Sequence, residues 1–234
     1  MVTNQTNEIR PIDAVAFDLD GLMFNTEDIY DEVLDAILQK RGCQFSRQLK
    51  LQMMGLPGVQ AVGVMIDACN LDDEPQALLD EAHELMAELM PGRIQPMPGL
   101  LRLLDLIEQV ELPKSIATSS SPKFARTALS ITGLLDRFKF VLTAENVAEG
   151  KPSPDIYLES ARRHGVEPAR MLILEDSLVG SRAAAASGGI SIAVPGHHSV
   201  EQDFGHVDFQ FGSLAEPRLQ QMIQQRSVAV GSKS

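Results

Sequence analysis

The feature that most constrains this sequence is an alternation between short apolar runs and stretches with helical periodicity. Most of the runs stop abruptly at acidic, hydroxyl-bearing or turn-forming residues. The runs occupy residues 13–19, 114–118, 138–143, 171–174, 190–194 and, more weakly, 208–211. The helical patterns occupy residues 99–110, 122–132, 154–164, 178–187 and about 215–225. Strands that alternate with helices predict an α/β fold with a doubly wound parallel sheet.

One segment, from about residue 26 to residue 96, interrupts this alternation. It contains no convincing strand, and residues 28–41 and 73–90 carry apolar side chains at helical spacing. We therefore predict an all-helical domain inserted after the first strand of an α/β core. The predicted limits are 25–96 for the inserted domain, and 1–24 together with 97–234 for the core.

Gly55, Pro57 and Gly58 interrupt the middle of the inserted segment, and we expect them to break its helices. We expect hinges at about residues 24–27 and 91–98, where the chain leaves and re-enters the core.

The charge of the chain limits the kinds of partner it can have. A formal net charge of −12 argues against nucleic acid or an anionic membrane, because both attract clustered Lys and Arg. No apolar run approaches the roughly 20 residues that are needed to cross a bilayer. Residues 1–8 lack the basic and apolar regions of a signal peptide. We expect a cytoplasmic protein, present as a monomer or a weak homodimer.

The two cysteines, Cys43 and Cys69, lie in stretches that we predict to be helical, and their spacing is not that of a metal site. We expect both to be reduced packing residues, in keeping with a cytoplasmic location.

Asp18 and Asp20 stand at the end of the first apolar run, in the sequence Phe17-Asp-Leu-Asp-Gly21. Residues two apart on a strand point to the same side, and two carboxylates that close repel each other unless a cation or a proton separates them. Ionised Asp18 could attack phosphorus, while protonated Asp20 could supply a proton to the leaving oxygen. An ordinary Asp-x-Asp-Gly turn remains an alternative.

Three further clusters follow later strands or their loops. Hydroxyl groups in Thr118-Ser-Ser-Ser121 suit phosphate oxygens, although they could also only cap the next helix. Lys151 could balance charge near the carboxylates, or it could be a solvated lysine in a Pro-rich turn. Glu175 and Asp176 are oxygen ligands of the kind that Mg²⁺ prefers, although Asp176 could instead cap a helix. Because the carboxyl ends of parallel strands lie at one edge of the sheet, we expect these clusters to converge.

Taken together, the motifs resemble the haloacid dehalogenase superfamily. The most similar branch is the phosphatase and β-phosphoglucomutase-like group, which carries a helical cap after the first strand. The resemblance covers about residues 12–213. Its motifs are Phe17-Asp-Leu-Asp-Gly21, the strand end at Thr118-Ser119, Gly150-Lys-Pro-Ser-Pro-Asp155 and Glu175-Asp-Ser177.

The resemblance implies roles for the residues in these motifs. Asp18 would be the nucleophile that forms an aspartyl-phosphate and would also bind Mg²⁺, and Asp20 would be the general acid and base and offer its backbone carbonyl to the metal. The other implied roles are phosphoryl binding for Thr118, Ser119 and Lys151, and metal binding for Asp176 and, directly or through water, Glu175. The helical cap would exclude water and select a small phosphorylated metabolite.

Departures from the mutase pattern favour hydrolysis. Tyr30 falls where the mutase has a cap histidine, and the run Met54-Gly-Leu-Pro-Gly58 lacks the cap arginine. Asn25 replaces the usual aspartate after the first motif, where we expect an effect on the hinge but no loss of function. The sequence thus predicts a magnesium-dependent phosphatase, possibly of a sugar phosphate. The alternatives are a β-phosphoglucomutase-like phosphomutase and a non-catalytic phosphate-binding protein on the same scaffold.

Overall fold

A computed structural model describes residues 10–54, 56 and 58–230, with side chains up to residue 225. The described chain divides into two compact units. One unit runs up to Phe24 and resumes at Pro96, and the other is Asn25–Gln95 between them. Gly55, Pro57 and residues 1–8, for which we made predictions above, lie outside the described residues.

The first unit is built on a parallel sheet of six strands among the described residues. The strands are β1 (Ala14–Phe17), β2 (Lys114–Ala117), β3 (Val141–Leu142), β4 (Met171–Glu175), β5 (Ile190–Ala193) and β6 (Phe209–Gln210). The helices of this unit are α5 (Leu100–Gln109), α6 (Pro122–Ile131), α7 (Asp155–His164), α8 (Leu178–Ala186) and α9 (Pro217–Val230). The α/β fold with a doubly wound parallel sheet is thus confirmed.

The order of the strands is β3-β2-β1-β4-β5-β6, and every neighbouring pair is parallel. The chain moves outward from β1 to β3 and then returns to β4 on the other side of β1. Such a reversal opens a crevice at the carboxyl ends of the two central strands, where open α/β sheets bind ligands. The loops that follow β1 and β4 therefore face each other across this switch point.

Burial explains why the central strands read as continuous apolar runs. Every residue of β1 and β4 is buried, because helices cover both faces of a parallel sheet. The edge strand β3 is shorter than the predicted run of residues 138–143. It pairs with β2 at only two positions, Val141 and Leu142, and the residues before them approach it as irregular chain.

The second unit is helical throughout its regular structure. Its helices are α1 (Thr26–Gln39), α2 (Arg47–Met53), α3 (Gly58–Cys69) and α4 (Pro75–Arg93). Bounds were predicted only for α1 (residues 28–41) and α4 (residues 73–90). The expected break in the middle of the segment is present, because α2 ends at Met53 and α3 begins at Gly58.

The expectation of two reduced cysteines is wrong in this structure, where Cys43 and Cys69 form a disulfide. Cys43 lies in the loop after α1 and Cys69 is the last residue of α3. Their Cα atoms are 6.2 Å apart, a separation that a disulfide spans without backbone movement. The expected cytoplasmic location stays a prediction. Within the part of the chain that the structure describes, no helix has the length and apolar character that a bilayer crossing requires.

Candidate active site

Asp18 directly follows the end of β1 and lies at the crevice. The backbone N–H of Asp18 donates to the carbonyl of Leu174 at 3.0 Å, which ties the ends of β1 and β4 together. Only 7% of Asp18 is exposed. Gly21 has a φ of +73°, and a Cβ added there would lie 2.2 Å from Oδ2 of Asp176. A glycine at this turn therefore allows the Asp176 carboxylate to approach the loop after β1.

Lys151 joins this group from the loop that follows β3. Its Nζ donates to Oδ1 of Asp18 at 2.5 Å, to Oε1 of Glu175 at 2.6 Å and to the carbonyl of Ala117 at 2.9 Å. Its side chain is only 5% exposed. Burial by itself lowers the pKa of this lysine, but the carboxylates of Asp18 and Glu175 outweigh burial and raise the pKa well above its usual value. Lys151 is therefore a permanent cation of the site.

A single lysine does not balance the negative charge that gathers here. Burial raises the pKa of Asp18 to about 8, the nearby carboxylates of Glu175 and Asp20 add to the rise, and Lys151 opposes it. Asp18, Glu175 and Asp176 are all buried, and each offers an oxygen atom within 4.8 Å of the others. Buried carboxylates in such a cluster require further positive charge or a proton. Oxygen donors at this spacing fit Mg²⁺.

Protein donors hold both oxygens of the Glu175 carboxylate. Oε1 accepts from Lys151 at 2.6 Å and from the hydroxyl of Tyr157 at 2.5 Å, and Oε2 accepts from the hydroxyl of Ser177 at 3.2 Å. Glu175 is fully buried, and a Cβ added at Gly180 would lie 1.9 Å from its Oε1. The sequence left open whether Glu175 would bind a metal directly or through water. Because protein donors already occupy its oxygens, these contacts favour a role without direct coordination.

The hydroxyl cluster after β2 contacts Asp20. The hydroxyl of Thr118 donates to Oδ2 of Asp20 at 3.2 Å, and the hydroxyl of Ser120 donates to the same oxygen at 2.6 Å. Thr118 is itself buried and accepts from the N–H of Ser120 at 3.0 Å. Ser119 lies two residues after the end of β2 and is exposed. Ser121 accepts from the N–H of Phe124 and caps α6, so the capping function belongs to one member of the cluster only.

The residues that the sequence singled out thus meet at the carboxyl edge of the sheet. Asp18, Lys151 and Glu175 form one hydrogen-bonded group, and Thr118 and Asp20 form another. Two participants were missed. Ser120 belongs to the hydroxyl cluster of the sequence, but no role was assigned to it. Tyr157 lies on α7, six residues after Lys151 in the sequence, and no recognised motif includes it. Burial and Glu175 raise the pKa of Tyr157 well above its usual value, so its phenol keeps a proton to donate.

Comparison with known proteins connects this site to a family. The profile of the family described as haloacid dehalogenase-like hydrolase matches residues 15–194. That range contains all of the residues placed in the candidate site.

Individual relatives are similar over most of this chain. The bifunctional riboflavin kinase/FMN phosphatase of Arabidopsis thaliana is 29% identical over 219 residues, which cover 93% of this chain but only 58% of that protein. The fructose-1-phosphate phosphatase YqaB of Escherichia coli is 29% identical over 174 residues, which cover 74% of this chain and 90% of that protein. The chain thus spans little more than half the length of the first relative.

A solved structure supports the fold assignment. The crystal structure of CbbY from Rhodobacter sphaeroides in complex with phosphate superimposes with a TM-score of 0.78 at 26% sequence identity. The superposition covers 88% of this chain and 96% of that chain.

Proposed function

The chain belongs to the haloacid dehalogenase-like hydrolases, and we propose that it is a magnesium-dependent phosphatase of a small phosphorylated metabolite, possibly a sugar phosphate. The observation that carries this proposal is the buried group in which Lys151 bridges Asp18 and Glu175, with Asp176 beside them. Relatives named as phosphatases support the same reaction class.

In the proposed reaction, a carboxylate oxygen of Asp18 attacks the phosphorus of the substrate. A bond forms between Asp18 and phosphorus as the bond between phosphorus and the ester oxygen breaks, and Asp20 gives its proton to the departing oxygen. In the second step Asp20 takes a proton from water, and the water oxygen bonds to phosphorus as the bond between phosphorus and Asp18 breaks, which releases inorganic phosphate and restores the Asp18 carboxylate. The net change is hydrolysis of one phosphate ester.

Lys151 and the hydroxyl cluster would bind the phosphoryl group. Ion pairing with Lys151 favours the ionised form of Asp18, which bound Mg²⁺ would favour further, and Lys151 would oppose the negative charge that develops on the phosphoryl oxygens. The hydroxyl of Thr118, which donates to Asp20 here, would turn to a phosphoryl oxygen, and the backbone beside Ser119 would assist.

The carboxylates also fit the proposed metal. Asp18 and Asp176 would bind Mg²⁺ together with the backbone carbonyl of Asp20, and Glu175 would support them from outside the coordination shell. When bound, the metal ion would neutralise phosphate charge and relieve the repulsion among the buried acids. The space that Gly21 leaves for the carboxylate of Asp176 supports this assignment, because a side chain there would displace that ligand.

We further propose that residues 25–96 act as a cap domain that excludes water and selects the substrate. Hydrolysis is preferred over mutase activity on the sequence grounds given above, namely Tyr30 and the absence of an arginine near Gly58. A mutase has to hold a second phosphate, and it requires a cation for that purpose.

A screen of phosphorylated metabolites with Mg²⁺, measured as release of inorganic phosphate, tests the proposal. We expect Asp18→Asn to lower the rate at least about a thousandfold, as loss of a nucleophile does. EDTA should abolish the activity of the native protein and Mg²⁺ should restore it. Asp136→Asn removes a carboxylate from the exposed surface and is the matched control. Full activity in Asp18→Asn, or isomerisation of a sugar phosphate without release of phosphate, would contradict the proposal.

A further inference from the structure

Tyr157 is a buried residue whose polar contact the proposed reaction does not use. We propose that Tyr157 is a positioning residue of the site: its hydroxyl fixes the Glu175 carboxylate, which in turn holds the Lys151 ammonium against Asp18. This inference rests on the proposed function, because it concerns Lys151, which would bind the transferred phosphoryl group.

The geometry of Tyr157 links it to both partners of an ion pair. Its hydroxyl donates to Oε1 of Glu175 at 2.5 Å, and Nζ of Lys151 lies 5.1 Å from the centroid of its ring. An ammonium at that distance from an aromatic face is attracted by the ring electrons. One side chain therefore contacts the cation with its ring and the anion with its hydroxyl.

Glu175 depends on this hydroxyl for its orientation. Oε1 receives hydrogen bonds from both Lys151 and Tyr157, whereas Oε2 receives one from Ser177. Without the phenol, Oε1 loses one of these two donors, and the carboxylate can shift toward Ser177 and change the position of the oxygen that anchors Lys151. A displacement of about 1 Å at a group that acts on the transition state is enough to lower a rate about a hundredfold.

The surroundings of Tyr157 make it a firm support for Glu175. Tyr157 is 1% exposed and belongs to the buried face of α7, together with Ile156, Ser160 and Ala161. This face packs in the core with residues of β1 and β4, such as Ala14 and Ile173. The phenol ring is thus held by the same core that fixes the strands of the site.

A purely structural explanation for Tyr157 makes a different prediction. If the ring only fills the core, Phe serves equally well, because it keeps the ring, the packing and the contact with Lys151. Tyr157→Phe removes the hydroxyl alone. A positioning role therefore predicts a catalytic defect in a protein that folds normally.

Ser160→Ala is the matched control. Ser160 lies on the same helix, is fully buried, and makes one buried hydrogen bond, at 2.8 Å to the hydroxyl of Ser115. This hydrogen bond joins Ser160 to β2 and not to Asp18, Lys151 or Glu175. The two substitutions each remove one buried hydroxyl from α7, so we expect similar decreases in the midpoint of thermal unfolding.

Hydrolysis of p-nitrophenyl phosphate with Mg²⁺ is the measurement, performed on the full-length native protein, Asp18→Asn, Tyr157→Phe and Ser160→Ala. We expect Tyr157→Phe to lower kcat about 10- to 100-fold, the usual effect of losing a partner that orients a primary residue, with a much smaller change in KM. Ser160→Ala should keep kcat close to the native value, because the hydroxyl that it removes bonds to Ser115.

A second readout does not depend on activity. In protein labelled with ¹⁵N-lysine, a buried and hydrogen-bonded ammonium gives a slowly exchanging signal, which Lys151→Met identifies by its disappearance. We expect this signal to shift or to exchange faster in Tyr157→Phe and to stay unchanged in Ser160→Ala.

The possible outcomes separate the two proposals. Hydrolysis that persists in Asp18→Asn would overturn the proposed function and this inference with it. Hydrolysis that requires Asp18 but is equal in Tyr157→Phe and Ser160→Ala would overturn the inference alone. An increase in KM at unchanged kcat would also overturn it, because it would show a role limited to substrate binding.

Discussion

The ammonium nitrogen of Lys151 lies 2.5 Å from Oδ1 of Asp18, although 133 residues separate them in the chain. The same nitrogen lies 2.6 Å from Oε1 of Glu175. Little solvent reaches this group, so the charges of its members interact strongly. These three side chains therefore form one electrostatic unit.

Lys151→Met should destabilise the fold. It leaves Asp18 and Glu175 buried without their cation, and removal of one partner from a buried ion pair costs about 3–5 kcal/mol. Urea unfolding in metal-free buffer at neutral pH measures the loss. The control is Lys123→Met, which removes a lysine from an exposed position at the start of α6. Equal free energies of unfolding for the two variants would show that the buried ion pairs of Lys151 do not stabilise the fold.

Mg²⁺ should stabilise the native protein against heat. A ligand at a hundred times its Kd adds about 2.7 kcal/mol to the free energy of unfolding if it binds only the folded state. Asp176→Asn should remove most of this increase because it replaces a charged ligand oxygen with a neutral one. Differential scanning fluorimetry over a range of Mg²⁺ concentrations checks this, and Asp136→Asn should behave like the native protein. A full response to Mg²⁺ in Asp176→Asn would place the metal elsewhere.

Gly21→Ala should disturb the site through a specific collision. The added Cβ would lie 2.2 Å from Oδ2 of Asp176 and would push that carboxylate out of position. Gly133→Ala is a close control, because Gly133 has a similar φ of +69° but no heavy atom near the position of an added Cβ. Both variants should lose about 1–2 kcal/mol from the left-handed backbone conformation.

Only Gly21→Ala should also weaken Mg²⁺ binding and phosphate release. Isothermal titration with Mg²⁺ separates the two variants. Equal Mg²⁺ affinities in both would mean that the loop after β1 adapts without moving Asp176.

His164 should make stability depend on pH. Burial, with a smaller effect of Lys139, lowers the pKa of His164 to about 4 from the ordinary value of 6.5. Between these values the unfolded chain binds a proton that the folded chain does not, so the free energy of unfolding rises with pH in that window. The contribution is complete above about pH 6.5 and is lost as the pH falls toward 4.

Chemical unfolding of the native protein and His164→Gln from pH 4 to pH 7.5 tests this dependence. The variant should lose stability less steeply as the pH falls. His83→Gln, which removes an exposed histidine, should follow the native curve. Parallel curves for native protein and His164→Gln would rule out this origin of the pH effect.

The disulfide should stabilise the Asn25–Gln95 unit. It closes a loop with a sequence separation of 26, for which loop entropy predicts about 3–4 kcal/mol. Both cysteines are partly exposed, so a thiol reductant has access to them. Thermal unfolding with and without dithiothreitol measures the effect. The Cys43→Ser and Cys69→Ser double variant should be insensitive to the reductant, and two titratable thiols in protein purified without reductant would contradict the pairing.

Much of the core fold followed from local pattern. The runs that became β1 and β4 are continuous and apolar because both faces of a central parallel strand are buried, and this requirement is visible in sequence. The short edge strand β3 was overestimated, since its length depends on how far β2 extends beside it. Helices α2 and α3 were not delimited, because their short and irregular apolar spacing is weak evidence without the helices they pack against.

The chemistry of the site divides in the same way. The sequence alone determined that Asp18, Thr118 and Asp176 stand directly after strands and that Lys151 lies in a Pro-rich loop, because these residues follow recognisable local patterns. Only the tertiary structure decided which distant side chains pair with one another. Examples are Tyr157 with Glu175, Ser120 with Asp20, and Cys43 with Cys69. The physical reason is distance along the chain. Backbone propensity and hydrophobic periodicity act over a few neighbouring residues, whereas a hydrogen bond between Tyr157 and Glu175 exists only after α7 and β4 have packed into the same core.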